Sequence, residues 1–422
     1  GLPVPLPVKR RTLIKSMLAA GCGAATGLRL PMAMGAGYRD YSGKLLVSVQ
    51  AYGGWDPTCF CDPKTNTPGE PIINHWAETD EPRTAGNIPY APFADNEAFF
   101  SRHHARMLVI NGIDMQTNAH DIGTVHTWTG RSSEAFPTLS TVHAAHNAPG
   151  AALACVSFGA YTRGAALLPV AGFGTGGSNA TRQLGAIANP AKGGYLHEDD
   201  WANIRRSHGK TAVRLGADNE TIPAAHRTRA AFESAFAGEG GLADFVTELN
   251  RIGSGDPWGA AVAAFKSGVS VSADLLYGFF DTHDDNDDRQ AVQLGGLTGR
   301  IDELWRRAEE HGFADRLVVV VGSEFGRTNY YNGDDGKDHW PINSLVVMEE
   351  NQPWTDRVVA ATDELHFALS VDPQTLAPDP DGTFIYPNAV HKALRRHLGL
   401  QDSTGASLYP FRGVPDMAFF EA

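Results

Sequence analysis

Residues 321–340 read VGSEFGRTNYYNGDDGKDHW. A β-branched apolar run, RLVVVV, leads into Glu324 and Arg327, and a glycine- and aspartate-rich loop then delivers Asp338 and His339. The same pairing of an apolar run with ionisable residues recurs along the chain. After KLLVSVQ (44–50) come Gly53-Gly54-Trp55-Asp56, and after MLVIN (107–111) come His120, Asp121 and His126. After an apolar stretch around 269–280 come Asp281-Thr282-His283. Mixed carboxylate–imidazole sets suit Zn, Mn, Fe or Ca, and paired metals do hydrolytic work on phosphoryl-like groups. Taken singly, each residue has a plainer use. Asp56 before Pro57 could cap a turn, His120 could be a hydrogen-bonded histidine, 284–288 could be a solvated acidic loop, and Glu324 with Arg327 could be an ion pair.

Side chains from such distant positions meet only if the elements before them end together. The runs at 44–50, 107–111, 153–158, 316–322 and 343–348 are short and continuously apolar, as in a parallel sheet covered on both faces. Helical patterns lie between them. In 300–311, Ile301, Leu304, Trp305 and Ala308 form one stripe, and Gly312 is placed to end it. A last helix over 389–398 turns Val390, Leu394 and Leu398 inward, with Asn388 placed to cap it. The stretch 175–260 is rich in Ala, Gly, Arg and Glu and is expected to be a mainly helical insertion. The expected fold is α/β, a mostly parallel central sheet flanked by helices. In such sheets ligands gather beyond the carboxyl ends of the strands.

The chain has 422 residues and a formal net charge of −13. That acidity argues against general nucleic-acid binding, which needs a basic stripe. Lys9-Arg10-Arg11, an Ala/Gly-rich stretch and small residues near 33–37 resemble a twin-arginine export signal over 1–37; an amphipathic first helix is the alternative. The expectation is a periplasmic or extracellular protein delivered by the twin-arginine machinery, with no transmembrane span in the mature chain 38–422. Cys59, Cys61 and Cys155 make no disulfide framework; one bridge from the pair to Cys155, or plain buried thiols, both fit.

Ser323-Glu324-Phe325-Gly326-Arg327-Thr328, Asp281-Thr282-His283, Asp338-His339 and Gly53-Gly54-Trp55-Asp56 together resemble a bacterial family of unknown function, family fifteen-oh-one. That family is placed in the alkaline-phosphatase-like, sulfatase-like superfamily. The resemblance covers roughly residues 44–400, with 170–260 poorly matched. It implies metals at the carboxyl edge of an alkaline-phosphatase-like sheet, with Asp56 as a ligand from the first strand. Asp281 and His283 would serve a second cluster. Glu324 would stand for the superfamily's aspartate and His339 for its late histidine, with Phe325 where another histidine is common. The superfamily's nucleophile precedes a helix running to Thr-Gly; before Thr129-Gly130 that register holds His120 and Asp121, flanked by Thr117 and Thr124.

The reading that joins residues and resemblance is an exported metal-dependent hydrolase-like protein acting on a small anionic ester, phosphate or sulfate. Asp56, Asp281, His283, Glu324, Asp338 and His339 would hold one or two divalent ions. Arg327 would stabilise an anionic group, and His120 or Asp121 would act as acid–base or outer ligand. The competing reading is a non-catalytic cell-envelope binding or assembly component that keeps the fold and a structural Ca²⁺.

Overall fold

The computed structural model describes residues 41–133, 135–174, 198–216, 239–252 and 255–421. The leader, including Arg10, Arg11 and Cys22, lies outside them, as do parts of the 175–260 stretch.

Among the described residues, eight strands make one sheet: β1 (Leu45–Ala51), β2 (Met107–Asp114), β3 (Cys155–Phe158), β4 (Ala171–Gly172), β5 (Ser272–Tyr277), β6 (Leu317–Gly322), β7 (Ile342–Glu349) and β8 (Arg357–Val359). Their spatial order is β8-β2-β7-β6-β1-β5-β3-β4. All pairings are parallel except the two made by β7, which runs antiparallel to β2 and β6. The mostly parallel sheet is therefore as expected, and the apolar run at 343–348 is its one reversed strand.

Continuous apolar runs are explained by burial of both faces. In β1, Leu45, Val47 and Val49 join one core while Leu46 joins the other. In β6, Val319 and Val321 face the first core, and Val318 and Val320 the second. Successive side chains of a strand point to opposite faces, so a strand sandwiched between helix layers must be apolar throughout.

The first face is covered by α1 (Asn96–His103), α6 (Pro257–Lys266) and α7 (Asn286–Glu310). The second is covered by α2 (His120–Thr129), α3 (Leu139–Asn147) and α8 (Pro387–His397). Of the 175–260 stretch, the described residues include two helices, α4 (Glu198–Gly216) and α5 (Glu239–Ile252).

Two helix boundaries differ from expectation. Helix α7 buries Ile301, Leu304, Trp305 and Ala308 as predicted, but it begins at Asn286, so Asp287 and Asp288 lie in its first turn rather than in a loop. Helix α8 opens on Pro387 with Tyr386 at the cap, so Asn388 sits inside the helix. Of the two fates open to the cysteines, Cys59, Cys61 and Cys155 are buried free thiols, with no bridge among them. No helix among the described residues is long and apolar enough to cross a membrane.

Candidate metal centre

Five adjacent strands deliver the site. β1, β2, β5 and β6 point their carboxyl ends to one edge of the sheet, and reversed β7 starts there. The registers align Ala51 with Tyr277 and Gln50 with Gly322, so the loops bearing Asp56, Asp281 and Glu324 leave side by side. His120 opens α2 after β2. His339 comes from a two-residue ribbon, Gly326–Arg327 with His339–Trp340, just before β7. Gly53 has φ +114°, and an added Cβ would sit 2.6 Å from the Phe280 backbone nitrogen. Glycine at this position lets the first strand's loop press against the loop that carries Asp281.

Asp281 is the hub. His339 Nε2 and His283 Nε2 lie 3.2 and 3.1 Å from its Oδ1, and His120 Nε2 lies 3.5 Å from Oδ2. Ligand-type atoms of His120, Asp281 and His339 all fall within 4.8 Å of one another. Each histidine has its other ring nitrogen engaged. His339 Nδ1 donates to the Asn118 carbonyl at 2.7 Å, since a carbonyl can only accept. His283 Nδ1 lies 2.7 Å from Asp338 Oδ1, and His120 Nδ1 lies 2.8 Å from Glu324 Oε1. Glu324 is itself held by the Gly53 N–H at 2.8 Å. With their Nδ1 protons so committed, the neutral rings turn Nε2 lone pairs inward. His283 Nε2 and His339 Nε2 then face each other at 3.0 Å beside a carboxylate. A cation between them, a proton or a metal ion, reconciles that geometry. Histidine ligands orientated through Nδ1 by a carboxylate or carbonyl are the usual arrangement around a bound metal.

The electrostatics agree. Burial works to raise the Asp281 carboxyl, but the hydrogen bond and charge of Arg327, together with the imidazoles beside it, outweigh it and hold the pKa at about 2. The hydrogen bond to Glu324 raises the His120 pKa, whereas burial lowers that of His339. The hydrogen bond from His283 lowers the Asp338 pKa. A carboxylate kept ionised beside imidazoles is a donor set suited to Zn, Fe or Mn.

The predicted roles are redistributed. Asp281, His283 and His339 lie together, and His120 lies with them, its Nε2 also turned to Asp281. Glu324 and Asp338 stand behind His120 and His283 and orientate them. Asp121 is exposed and accepts from the Ile122 N–H, outside the group. Arg327 is fully buried; it donates to the Gly54 carbonyl at 2.7 Å, the Lys337 carbonyl at 3.0 Å, the Gly53 carbonyl and Asp281. It braces Asp281 from below and faces no solvent-borne anion. Phe325 is buried with its ring 4.3 Å from that of His339, a wall rather than a donor.

Asp56 reaches the expected edge but not the common point. It is fully buried, and its Oδ2 lies 2.6 Å from Lys337 Nζ, while Oδ1 accepts from the Thr58 N–H and hydroxyl at 3.0 and 2.7 Å. Burial opposes charge on both partners, yet each holds the other ionised: the Asp56 pKa is lowered and that of Lys337 raised. Lys337 is the residue that sequence reasoning misses. Asp338 and His339 beside it carry the ligand signal, whereas a lysine in a Gly/Asp-rich loop reads as solvated.

Residues 260–374 match a family model described as a protein of unknown function, DUF1501. The match includes Asp281, His283, Glu324, Arg327 and His339, and it excludes Asp56 and His120. It is the family that the sequence motifs resemble. No curated protein matches the chain. Among solved structures it is similar to the PsFucS1 sulfatase from Pseudoalteromonas sp., at 9% identity, TM-score 0.41, covering 91% of this chain and 73% of that one. It is similar to the phosphonate monoester hydrolase of Agrobacterium radiobacter at 10% identity and TM-score 0.33, covering 84% and 74%. It is also similar to a TAB5 alkaline phosphatase variant with bound Mg, at 8% identity and TM-score 0.33, covering 77% and 94%. Likenesses this loose carry no argument about chemistry, which rests on the side chains.

Proposed function

We propose that this chain is a metal-dependent hydrolase-like protein acting on a phosphate or sulfate ester, with one divalent ion held by His120, Asp281, His283 and His339. The observation that carries the reading is the common orientation of the three histidines, each with Nδ1 engaged outward and Nε2 turned to Asp281. A bound divalent ion would supply Lewis acidity to the ester and lower the pKa of an attacking water. Arg327 keeps Asp281 ionised and fixed, Glu324 and Asp338 hold the His120 and His283 rings, and Phe325 walls off one side. Three imidazoles with one carboxylate favour Zn, Fe or Mn over Ca, which takes oxygen ligands.

The second reading is a cell-envelope binding or assembly component that holds a cation without turnover. It is favoured by the commitment of Arg327 to backbone carbonyls and Asp281, which leaves it unable to clamp an anionic ester. The two readings part on one experiment. Elemental analysis of purified protein should find a transition metal, and aryl phosphate or sulfate hydrolysis should stop with chelator and return on adding the metal. Bound metal without hydrolysis selects the second reading, and no metal removes both. Export by the twin-arginine route belongs to the proposal on the strength of Arg10-Arg11. Normal periplasmic delivery of an Arg10→Lys/Arg11→Lys chain would remove that part.

A further inference from the structure

One loop away from the histidine residues lies a second cluster of polar side chains, and its contents are unusual for a protein interior. Lys337 is fully buried, with Nζ 2.6 Å from Asp56 Oδ2, 3.0 Å from Asn74 Oδ1 and 3.4 Å from Thr58 Oγ1. The Tyr331 ring lies beneath the ammonium, 5.0 Å from Nζ to its centroid. Asp56, Asn74 and Thr58 are also fully buried. Asn74 is fixed by its own amide, which donates to the Lys64 carbonyl at 2.9 Å, so its carbonyl oxygen is the atom turned to Nζ. A carboxylate, an amide carbonyl and a hydroxyl converge on one buried positive centre, bordered by the Cys59 thiol 3.3 Å from Asn74 Oδ1 and the Asn286 amide 3.4 Å from Asp56 Oδ2; the three oxygens are of the type that holds hard divalent cations.

The second cluster is joined to the histidine cluster. The Lys337 N–H donates to the Thr282 carbonyl at 3.0 Å, and Thr282 lies between Asp281 and His283. The Lys337 carbonyl accepts from Arg327, which also holds Asp281. The loop that places the ammonium inward thus continues, two residues on, into His339.

We infer that the Lys337 ammonium is a built-in substitute for a second divalent ion, so that Asp56, Asn74 and Thr58 form a hard-cation site closed by a tethered charge and the centre works with one exchangeable metal. A covalently tethered cation neutralises Asp56 permanently and leaves metal exchange to the half-exposed histidine side. A buried ion pair kept only for packing predicts no affinity for ions once the lysine is gone, whereas a substituted metal site predicts that an ion takes the vacated place. The total metal count rests on the function proposed above; the difference between variant and wild type does not.

The test replaces Lys337 with methionine, which keeps most of the volume and removes the charge. Mg²⁺ and, separately, Mn²⁺ bound per chain are counted by equilibrium dialysis and elemental analysis in wild type, Lys337→Met and Asp56→Asn/Lys337→Met. The expected result is one more equivalent in Lys337→Met than in wild type, lost again in the double variant. A wild-type Mn²⁺ count of zero with one ion in the variant would remove the exchangeable ion at the histidines and keep the substitution of the second ion by Lys337. A folded Lys337→Met chain that binds no more than wild type overturns it. If the variant is poorly folded, its melting temperature should climb with Mg²⁺ while that of wild type does not, because an ion that binds only the folded chain stabilises it. A melting temperature indifferent to both ions, or failure to fold at saturating Mg²⁺, also overturns the inference.

Discussion

Asp281 is met by four side chains at once, Arg327 from below and His120, His283 and His339 around its oxygens. Glu324 and Asp338 are one step further out, each on the Nδ1 side of an imidazole. This ordering makes unequal losses. Asp281→Ala or His339→Ala should abolish metal binding and turnover together, because an inward donor supplies both charge balance and geometry. Glu324→Gln or Asp338→Asn keeps a hydrogen-bonding group behind the ring and should cost only ~10–100-fold in metal affinity, as outer partners usually do. Titration of each chain with Zn²⁺ separates the classes. A Glu324→Gln loss as complete as that of Asp281→Ala would place Glu324 among the ligands and break the assignment. The sequence could not have ranked these carboxylates. Asp281, Glu324 and Asp338 all follow or precede strand ends, and only side-chain direction tells which of them reaches the ion.

At the scale of elements, the apolar runs were legible because strands covered on both faces leave no polar period to read. Val318 and Val320 belong to one core and Val319 and Val321 to the other, so RLVVVV is the signature of its own burial. The same signature is silent on direction: 345–348 is a similar apolar run, and it lies in a strand that runs antiparallel. Strands of two and three residues, Ala171–Gly172 and Arg357–Val359, are too short to carry a pattern and take their form from the neighbours they pair with. The early start of α7 was hidden for a different reason. Its first half carries acidic residues and Gly295-Gly296, which lower helix propensity. An added Cβ at Gly296 would collide with the Tyr277 hydroxyl, so close packing of the helix on β5 overrides propensity there. The candidate site was legible in the same measure. Strand-end placement brought Asp56, Asp281, Glu324 and His339 to one edge, while the inward turn of Asp56 to a buried lysine depends on a partner 281 positions away.

For the whole molecule, the two helix layers bury a row of polar groups inside the sheet as well as apolar ones, and this makes stability depend on pH. Asp274 lies in the middle of β5, paired across the sheet with Ser48 on β1 and Ser157 on β3. It is buried, without a cationic partner in hydrogen-bond reach among the described residues; Ser140 and Thr162 donate to its Oδ2 at 2.8 and 2.6 Å, and the Ser48 hydroxyl adds to their lowering effect. Burial pushes its pKa up to about 6, well above the ordinary aspartate value, against the lowering effect of those hydroxyls. The folded chain therefore binds this proton more tightly than the unfolded chain does. Its contribution to stability is full below pH ~4, falls through the window between the unfolded and folded pKa values, and is gone above pH ~6. A rise of that size corresponds to roughly 2–3 kcal/mol. Asp56, Asp281 and Glu349, whose pKa values are lowered, act with the opposite sign, favouring the folded chain above the unfolded carboxylate value and losing that effect as pH falls. The two trends overlap in wild type, so the Asp274 part is read as a difference. Asp274→Asn keeps an uncharged acceptor for Ser140 and Thr162 at every pH. Urea denaturation should find the variant close to wild type at pH ~4 and more stable by roughly 2–3 kcal/mol at pH ~7. A stability difference that is the same at both pH values would mean that Asp274 does not titrate in this window and that its buried carboxylate is ionised throughout.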